Sequence, residues 1–114
     1  MKVFKRDVGQ LCRRAPLFAA LGDETRLTLL MKLGDGQPKS ISQLSKGESV
    51  SRQAITKHLQ VLNEVGLVRG VRQGREKLFQ VEKKPLEEVR TALDLISRQW
   101  DDALDRLKTH LENS

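Results

Sequence analysis

A mainly α-helical chain carrying one two-stranded β-wing is the fold class this sequence predicts. Three observations lead to it. Residues 51–67, SRQAITKHLQVLNEVGL, read as one helix with two unlike faces that stops at Gly66. A basic hairpin follows, with Gly74 at its turn. Leu86, Val89, Leu93, Ile96, Trp100, Ala103 and Leu107 then step by three and four in alternation, a heptad seam on a last, long helix. A helix with a polar reading face followed by a basic wing is the order of a winged helix-turn-helix.

Taken in order, Val3, Phe4, Val8, Leu11 and Cys12 recur at helical spacing and predict a first helix over residues 2–14. Pro16 opens a second turn containing Leu17, Phe18 and Leu21, and Gly22 breaks it. Asp23 is a good N-cap for a helix through Leu33, with Leu27, Leu30 and Met31 expected to face inward. Gly34, Asp35, Gly36 and Pro38 make a loop. Ser40 and Gln43 have the spacing of a capping box and start a short helix with Ile41 and Leu44, ending near Gly47. Ser49 and Val50 form the turn, and Ser51 caps the two-faced helix. Leu67–Gln73 and Glu76–Val81 are the wing strands, with Leu78 and Phe79 on opposite faces. Leu67, Val68, Val71 and Val81 are available to anchor the hairpin, which is marginal alone. Pro85 begins the last helix, which runs to about Glu112. The expected organisation is one domain over 1–114: dimerisation helices at 1–14 and 85–112, a helix-turn-helix at 40–66 and a wing at 67–82.

The 114 residues fit a single small domain. Only Phe4, Phe18, Phe79 and Trp100 are aromatic, so the core must be aliphatic, which suits packed helices. No apolar run approaches the roughly 20 residues of a membrane span. Lys2, Lys5, Arg6 and Asp7 interrupt any signal-peptide core. A single cysteine, Cys12, forms no internal disulfide framework and suits a reducing cytoplasm, the expected location. The net charge of +6 is unevenly spread. Residues 1–14 carry +4, residues 67–84 carry +4 and residues 85–114 carry −3. Basic patches at the N-terminus and wing favour nucleic acid through counterion release.

On the 51–67 helix, Gln53, Thr56, Lys57, Gln60 and Glu64 share one face. Ala54, Ile55, His58, Val61, Leu62 and Val65 share the other, with Leu59 at the border. A merely solvated face more often carries Glu/Lys pairs. Ser, Thr, Gln, Arg and Lys are the side chains that bond base edges and phosphates. Ser51, Arg52, Gln53, Thr56 and Lys57 are therefore the expected contacts to double-stranded DNA, with Gln53 and Thr56 as base readers. Arg52 and Lys57 serve bases or backbone, and Ser51 also caps a helix N-terminus suited to phosphate. Arg72 and Arg75 on the wing are expected to meet phosphates or the flanking minor groove. The seam on the last helix extends well past a small core and asks for a second copy of the chain. Val8, Leu11, Leu93, Ile96, Trp100, Leu104 and Leu107 are the expected interface of this homodimer.

These residues resemble the ArsR/SmtB family of bacterial winged-helix repressors. The matching strings are LGDETRLTLLMKL, SRQAITKHLQVLNEVGLV and GREKLFQV, over about residues 15–82. The resemblance implies a cytoplasmic homodimer, paired through first and last helices, that binds an operator near a promoter and represses transcription. Metal-sensing members carry a Cys-x-Cys pair in the first helix of the helix-turn-helix, where this chain has ISQLSKGES. Another branch binds zinc on the last helix. There His110 matches one ligand, but Asn113 stands where a second should be, and Ser97 and Gln99 fall near the remaining pair. Asp94, Asp101, Asp102 and Asp105 read as an acidic helix surface, so no metal site and no cofactor are expected.

Cys12 reads as a small buried hydrophobe, with Arg13 and Arg14 nearby as the argument for a redox role. His58 reads as a packing residue with one hydrogen bond. No catalytic constellation, P-loop or dinucleotide fingerprint appears, so no enzyme is expected. A metal- or thiol-responsive sensor of the same family and a winged-helix protein-interaction module remain as alternatives, the latter at odds with a basic wing. A small-molecule inducer fits a repressor that needs relief, though no pocket is legible for one.

Overall fold

The computed structural model describes residues 2–113, with the side chains of residues 5–113. The helical spacing read from Val3 and Phe4 lies outside those side chains. The element order is α1 (Lys2–Arg13), α2 (Ala15–Leu21), α3 (Glu24–Lys32), a 3-10 turn (Leu33–Asp35), β1 (Lys39–Ser40), α4 (Ile41–Ser45), α5 (Arg52–Glu64), β2 (Val68–Gln73), β3 (Glu76–Val81) and α6 (Lys83–Glu112).

Three helix starts fall where a side chain accepts an otherwise unpaired N–H. Asp23 accepts from Arg26 N at 3.0 Å and caps α3. Ser40 accepts from Gln43 N at 3.2 Å while the Gln43 side chain accepts from Ser40 N at 2.9 Å, completing the capping box of α4. Ser51 accepts from Ala54 N at 3.1 Å and caps α5. The end of α5 is equally defined. Gly66, at φ +80°, donates to Asn63 O at 3.0 Å, and Leu67 N donates to Leu62 O at 2.9 Å. That pair of bonds is a Schellman motif, with Leu62 and Leu67 both fully buried as its apolar partners.

The sheet has three strands, not the two expected, in the order β1-β3-β2. β1 pairs antiparallel with β3 through Lys39↔Phe79 and Ser40↔Leu78. Its two residues escape a sequence reading because Pro38 precedes them and Ser40 must already cap α4. β2 and β3 pair from Val68↔Val81 to Gln73↔Glu76, joined by Gly74 and Arg75. Gly74 has φ +64°, and among the described residues no non-glycine residue has positive φ, so glycine takes the first central position of the tight hairpin turn. Phe79 joins the core beneath the sheet, while Leu78, also buried, lies on the other face.

The core is aliphatic. Leu29 and Leu33 from α3 and its end meet Leu44 from α4, Ile55, Leu59 and Leu62 from α5, and Leu67, Val68 and Phe79 at the base of the wing. Two expectations for α3 are corrected. Leu27 and Met31 point to solvent, at 47% and 81% exposure. The inward row is instead Arg26, Leu29, Leu30 and Leu33, a 3.6-residue row that begins with a charge. The apolar run LTLLM supports either face by pattern alone. Leu59, at the border by helical projection, is wholly inside.

α6 starts at Lys83, two residues before Pro85. Proline is tolerated there because first-turn N–H groups have no helical partner. Val89 and Ala92 bury this helix in the region where it meets α1 and α2. Its thirty residues span about 45 Å and set the long dimension of the chain, 68 Å against 28 and 21 Å. Among the described residues no helix is long and apolar enough to cross a membrane.

Candidate nucleic-acid interface

Gln53, Thr56, Lys57 and Gln60 line one shallow, open surface on α5. Its opposite face is consumed by the core, so these four groups face outward, with Asn63 and Glu64 exposed at the far end of the helix. Gln53, Lys57 and Gln60 are exposed. The Thr56 hydroxyl donates to Arg52 O at 2.9 Å, which leaves its oxygen lone pairs and methyl group for a base. Arg52 turns back: its guanidinium Nη2 donates to Ser42 Oγ and ties the start of α5 to α4. Ser51 is exposed but already engaged as the cap.

Two basic residues that the sequence reading passed over fix the angle of this helix-turn-helix. The Lys32 ammonium donates to Leu44 O at 2.9 Å and Lys46 O at 2.8 Å, and pairs with Glu48 Oε2 at 2.8 Å. It closes the end of α4 and the turn into α5 around one charge. Arg26 links three helices. Its Nε donates to Ala20 O at 2.6 Å and its Nη2 to Ala19 O at 3.4 Å, satisfying carbonyls at the end of α2. Its Nη1 meets His58 Nδ1 at 3.1 Å on the inner side of α5. Asp23 Oδ2 lies 3.7 Å from the same ring nitrogen. His58 is thus a packing residue, as its position on the apolar face implied, with two polar neighbours. The signal for Arg26 is its place at the head of an otherwise apolar row; sequence offers none for Lys32, whose partners lie 12 to 16 residues on.

Two carboxylates are held in their charged form. The Arg26 backbone N–H, followed by the nearby His58 and Arg26 charges, outweighs desolvation and lowers the Asp23 pKa. The Lys39 ammonium, 2.6 Å from Asp35 Oδ1, does the same for Asp35, helped by Gln37 N.

On the wing, alternation sorts the basic residues. Arg72 and Lys77 stand directly opposite one another, on the face that carries Gly70 and Phe79. Arg69 is on the other face and is neutralised by Glu82 at 2.7 Å. Arg75 is exposed in the turn. Lys77 Nζ lies 5.5 Å from the centre of the Phe79 ring, a cation–π contact worth about 0.5–1 kcal/mol at an exposed position.

Six of the seven expected interface residues are exposed: Val8, Leu93, Ile96, Trp100, Leu104 and Leu107, with Trp100 at 65%, while Leu11 is half-buried. Leu11, Cys12, Ala15, Phe18 and Ile96 line an apolar groove between α1, α2 and α6. Cys12 is exposed at its rim, not buried as expected, because α1 turns Leu11 and Arg14 inward instead. Among the described residues no three His, Cys, Asp or Glu side chains gather into a set that could hold a metal ion.

A capped helix-turn-helix followed by a basic hairpin, both resting on one aliphatic core, defines a winged helix-turn-helix protein. The family model described as "Bacterial regulatory protein, arsR family" matches residues 23–69. The HTH-type transcriptional regulator YuzN of Bacillus subtilis is 35% identical over 77 residues, 62% of this chain and 84% of that one. The HTH-type transcriptional regulator Rv2034 of Mycobacterium tuberculosis is 35% identical over 85 residues, 75% of this chain and 76% of that one. Among solved structures, an ArsR-like transcriptional regulator from Rhodococcus sp. RHA1 superposes with a TM-score of 0.74 at 40% identity, over 89% of this chain and 94% of the other. The chain belongs to the arsR family of bacterial regulatory proteins, and its activity is DNA-binding regulation of transcription.

Proposed function

We propose that the chain acts in the cytoplasm as a homodimeric repressor of an inverted-repeat operator, by binding and not by catalysis. Two copies join through α1 and α6. Their α5 helices then enter successive major grooves about 34 Å apart. Gln53 and Thr56 read base edges, with Lys57 beside them. Ser51 and the start of α5 receive a phosphate. Arg52 holds α4 and α5 together in the free protein and is near enough to the helix start to serve the backbone. Arg72 and Arg75 grip the flanks.

The observation that carries this reading is the outward face of α5: a polar surface of Gln53, Thr56, Lys57 and Gln60, with the face's one carboxylate, Glu64, left to the last residue of the helix. The exposed row from Leu93 to Leu107 supports the second copy, since an apolar stripe of that length on a monomer marks an interaction surface. The opposite charges of residues 1–14, at +4, and residues 85–114, at −3, suit pairing across the two-fold axis.

Selection from random duplex DNA by the full chain tests it directly, and an imperfect inverted repeat is the expected product. Gln53→Ala should then change preference at one position of each half-site by about 1–3 kcal/mol. An unchanged ranking of operator variants would remove Gln53 as a reader. Arg75→Ala should weaken all sequences alike and flatten the salt dependence by about one unit.

A further inference from the structure

We infer that Arg72 and Lys77 together form a duplex-phosphate site on one face of the wing, and that Gly70 and Phe79 hold Lys77 aside until DNA arrives. This rests on the reading of α5 and the wing as DNA contacts and adds a residue and a posture to it. The two cations are directly paired in the β2–β3 register. Like charges opposite one another in a ladder repel. A hairpin with no use for both would carry an acid or a neutral residue at one position. Neither Arg72 nor Lys77 makes an ion pair among the described residues. Glu76 is paired with Gln73 on the other face, and Glu82 is held by Arg69.

The free chain relieves that repulsion in a specific way. Lys77 runs back along its own strand and lays its ammonium over the Phe79 ring. The lane it uses exists because residue 70, opposite Phe79, is glycine. A Cβ at Gly70 would stand 3.0 Å from Lys77 Cε. Directly opposed side chains start about 5 Å apart, so a single phosphate can accept from the Arg72 guanidinium and the Lys77 ammonium together. Phosphate turns the repulsive pair into an attractive trio. The weak hold of the ring releases Lys77 to it. Arg69, neutralised on the opposite face, takes no part.

The test is a salt series of duplex binding, followed by fluorescence anisotropy on a mixed-sequence duplex three helical turns long. It compares the full chain with Lys77→Gln, Lys77→Arg, Arg69→Gln and Gly70→Ala. Lys77→Gln should lower the slope of log affinity against log salt by about 0.9. Lys77→Arg and Arg69→Gln should keep the parent slope. Gly70→Ala, whose added Cβ would crowd Lys77 Cε at 3.0 Å without removing charge, should keep the slope and bind at least as tightly. Thermal unfolding of each variant separates loss of fold from loss of contact. A parent slope in Lys77→Gln, an equal loss in Arg69→Gln, or a lowered slope in Gly70→Ala overturns the proposal. If the unaltered chain binds no duplex at low salt, the underlying reading fails first, and visibly so.

Discussion

α5 and α6 are both amphipathic, yet the chain satisfies one and not the other. α5 has thirteen residues, and Ile55, Leu59 and Leu62 are sealed inside. α6 has thirty, and of its apolar seam only Val89 is buried; Ala92, beside the seam, is the other residue that docks it. From Leu93 onward the large apolar residues of the seam face water. The half that carries the proposed DNA contacts is therefore complete within one copy, whereas the long helix leaves its apolar row open. Stability of the fold and assembly of the proposed dimer should separate under mutation.

The largest effect should come from the complete half. Leu62→Ala removes a side chain with no exposure and half of the Schellman contact; it should cost about 2–5 kcal/mol in urea unfolding. A cost below 1 kcal/mol would show that α5 is less sealed than described. Arg26→Met tests the joint between α2 and α5. It leaves the Ala20 carbonyl and His58 Nδ1 without the Arg26 donor, while Ala19 O keeps its bond from Gly22 N, and should cost about 2 kcal/mol. Trp100→Ala attacks the unfinished half. It should weaken self-association in sedimentation by about 2 kcal/mol while leaving the unfolding midpoint of a dilute monomer in place. A drop in monomer stability would break the comparison, because it would mean that α6 folds onto its own domain.

The smallest effect is set by pH. Asp23 and Asp35 have folded pKa values below their unfolded ones, near 4. Their contribution is present above that unfolded value and is lost as pH falls through the folded values. Stability should thus decline on acidification below about pH 4, and Asp23→Asn, which keeps a capping oxygen, should make the decline shallower. An identical acid profile in Asp23→Asn would remove Asp23 from the account.

The capped, locally determined parts of the fold were legible in the sequence. Asp23, Ser40 with Gln43, and Ser51 announce three helix starts within four residues each, and Gly66 and Gly74 mark the stop and the turn. The heptad seam was legible for the same reason. What failed was non-local. β1 is two residues of strand made only by the edge of β3, forty residues away. The inward row of α3 depended on which of five crowded apolar residues met α5, and Leu27 and Met31 lost. Lys32 and Arg26 bond to backbone carbonyls, which every residue has, so sequence does not foretell those partners, even though the place of Arg26 at the head of an apolar row marks it. On the candidate interface, the composition of the α5 face was readable, but the sorting of Arg69 from Arg72 and Lys77 needed the strand register and the position of Glu82.

One closure at the base of the wing has a metric consequence. Glu82 N donates to Leu67 O at 2.9 Å, directly after the residue that completes the end of α5. The hairpin thus leaves and re-enters the body through a single pair of neighbouring bonds, with buried Val68 beside it. That closure ties the base of the hairpin to the end of α5. On the proposed mode of binding, each copy is a caliper of set opening between bases and flanking backbone: adding one base pair between read positions and gripped flank should be tolerated worse than changing a base in that gap.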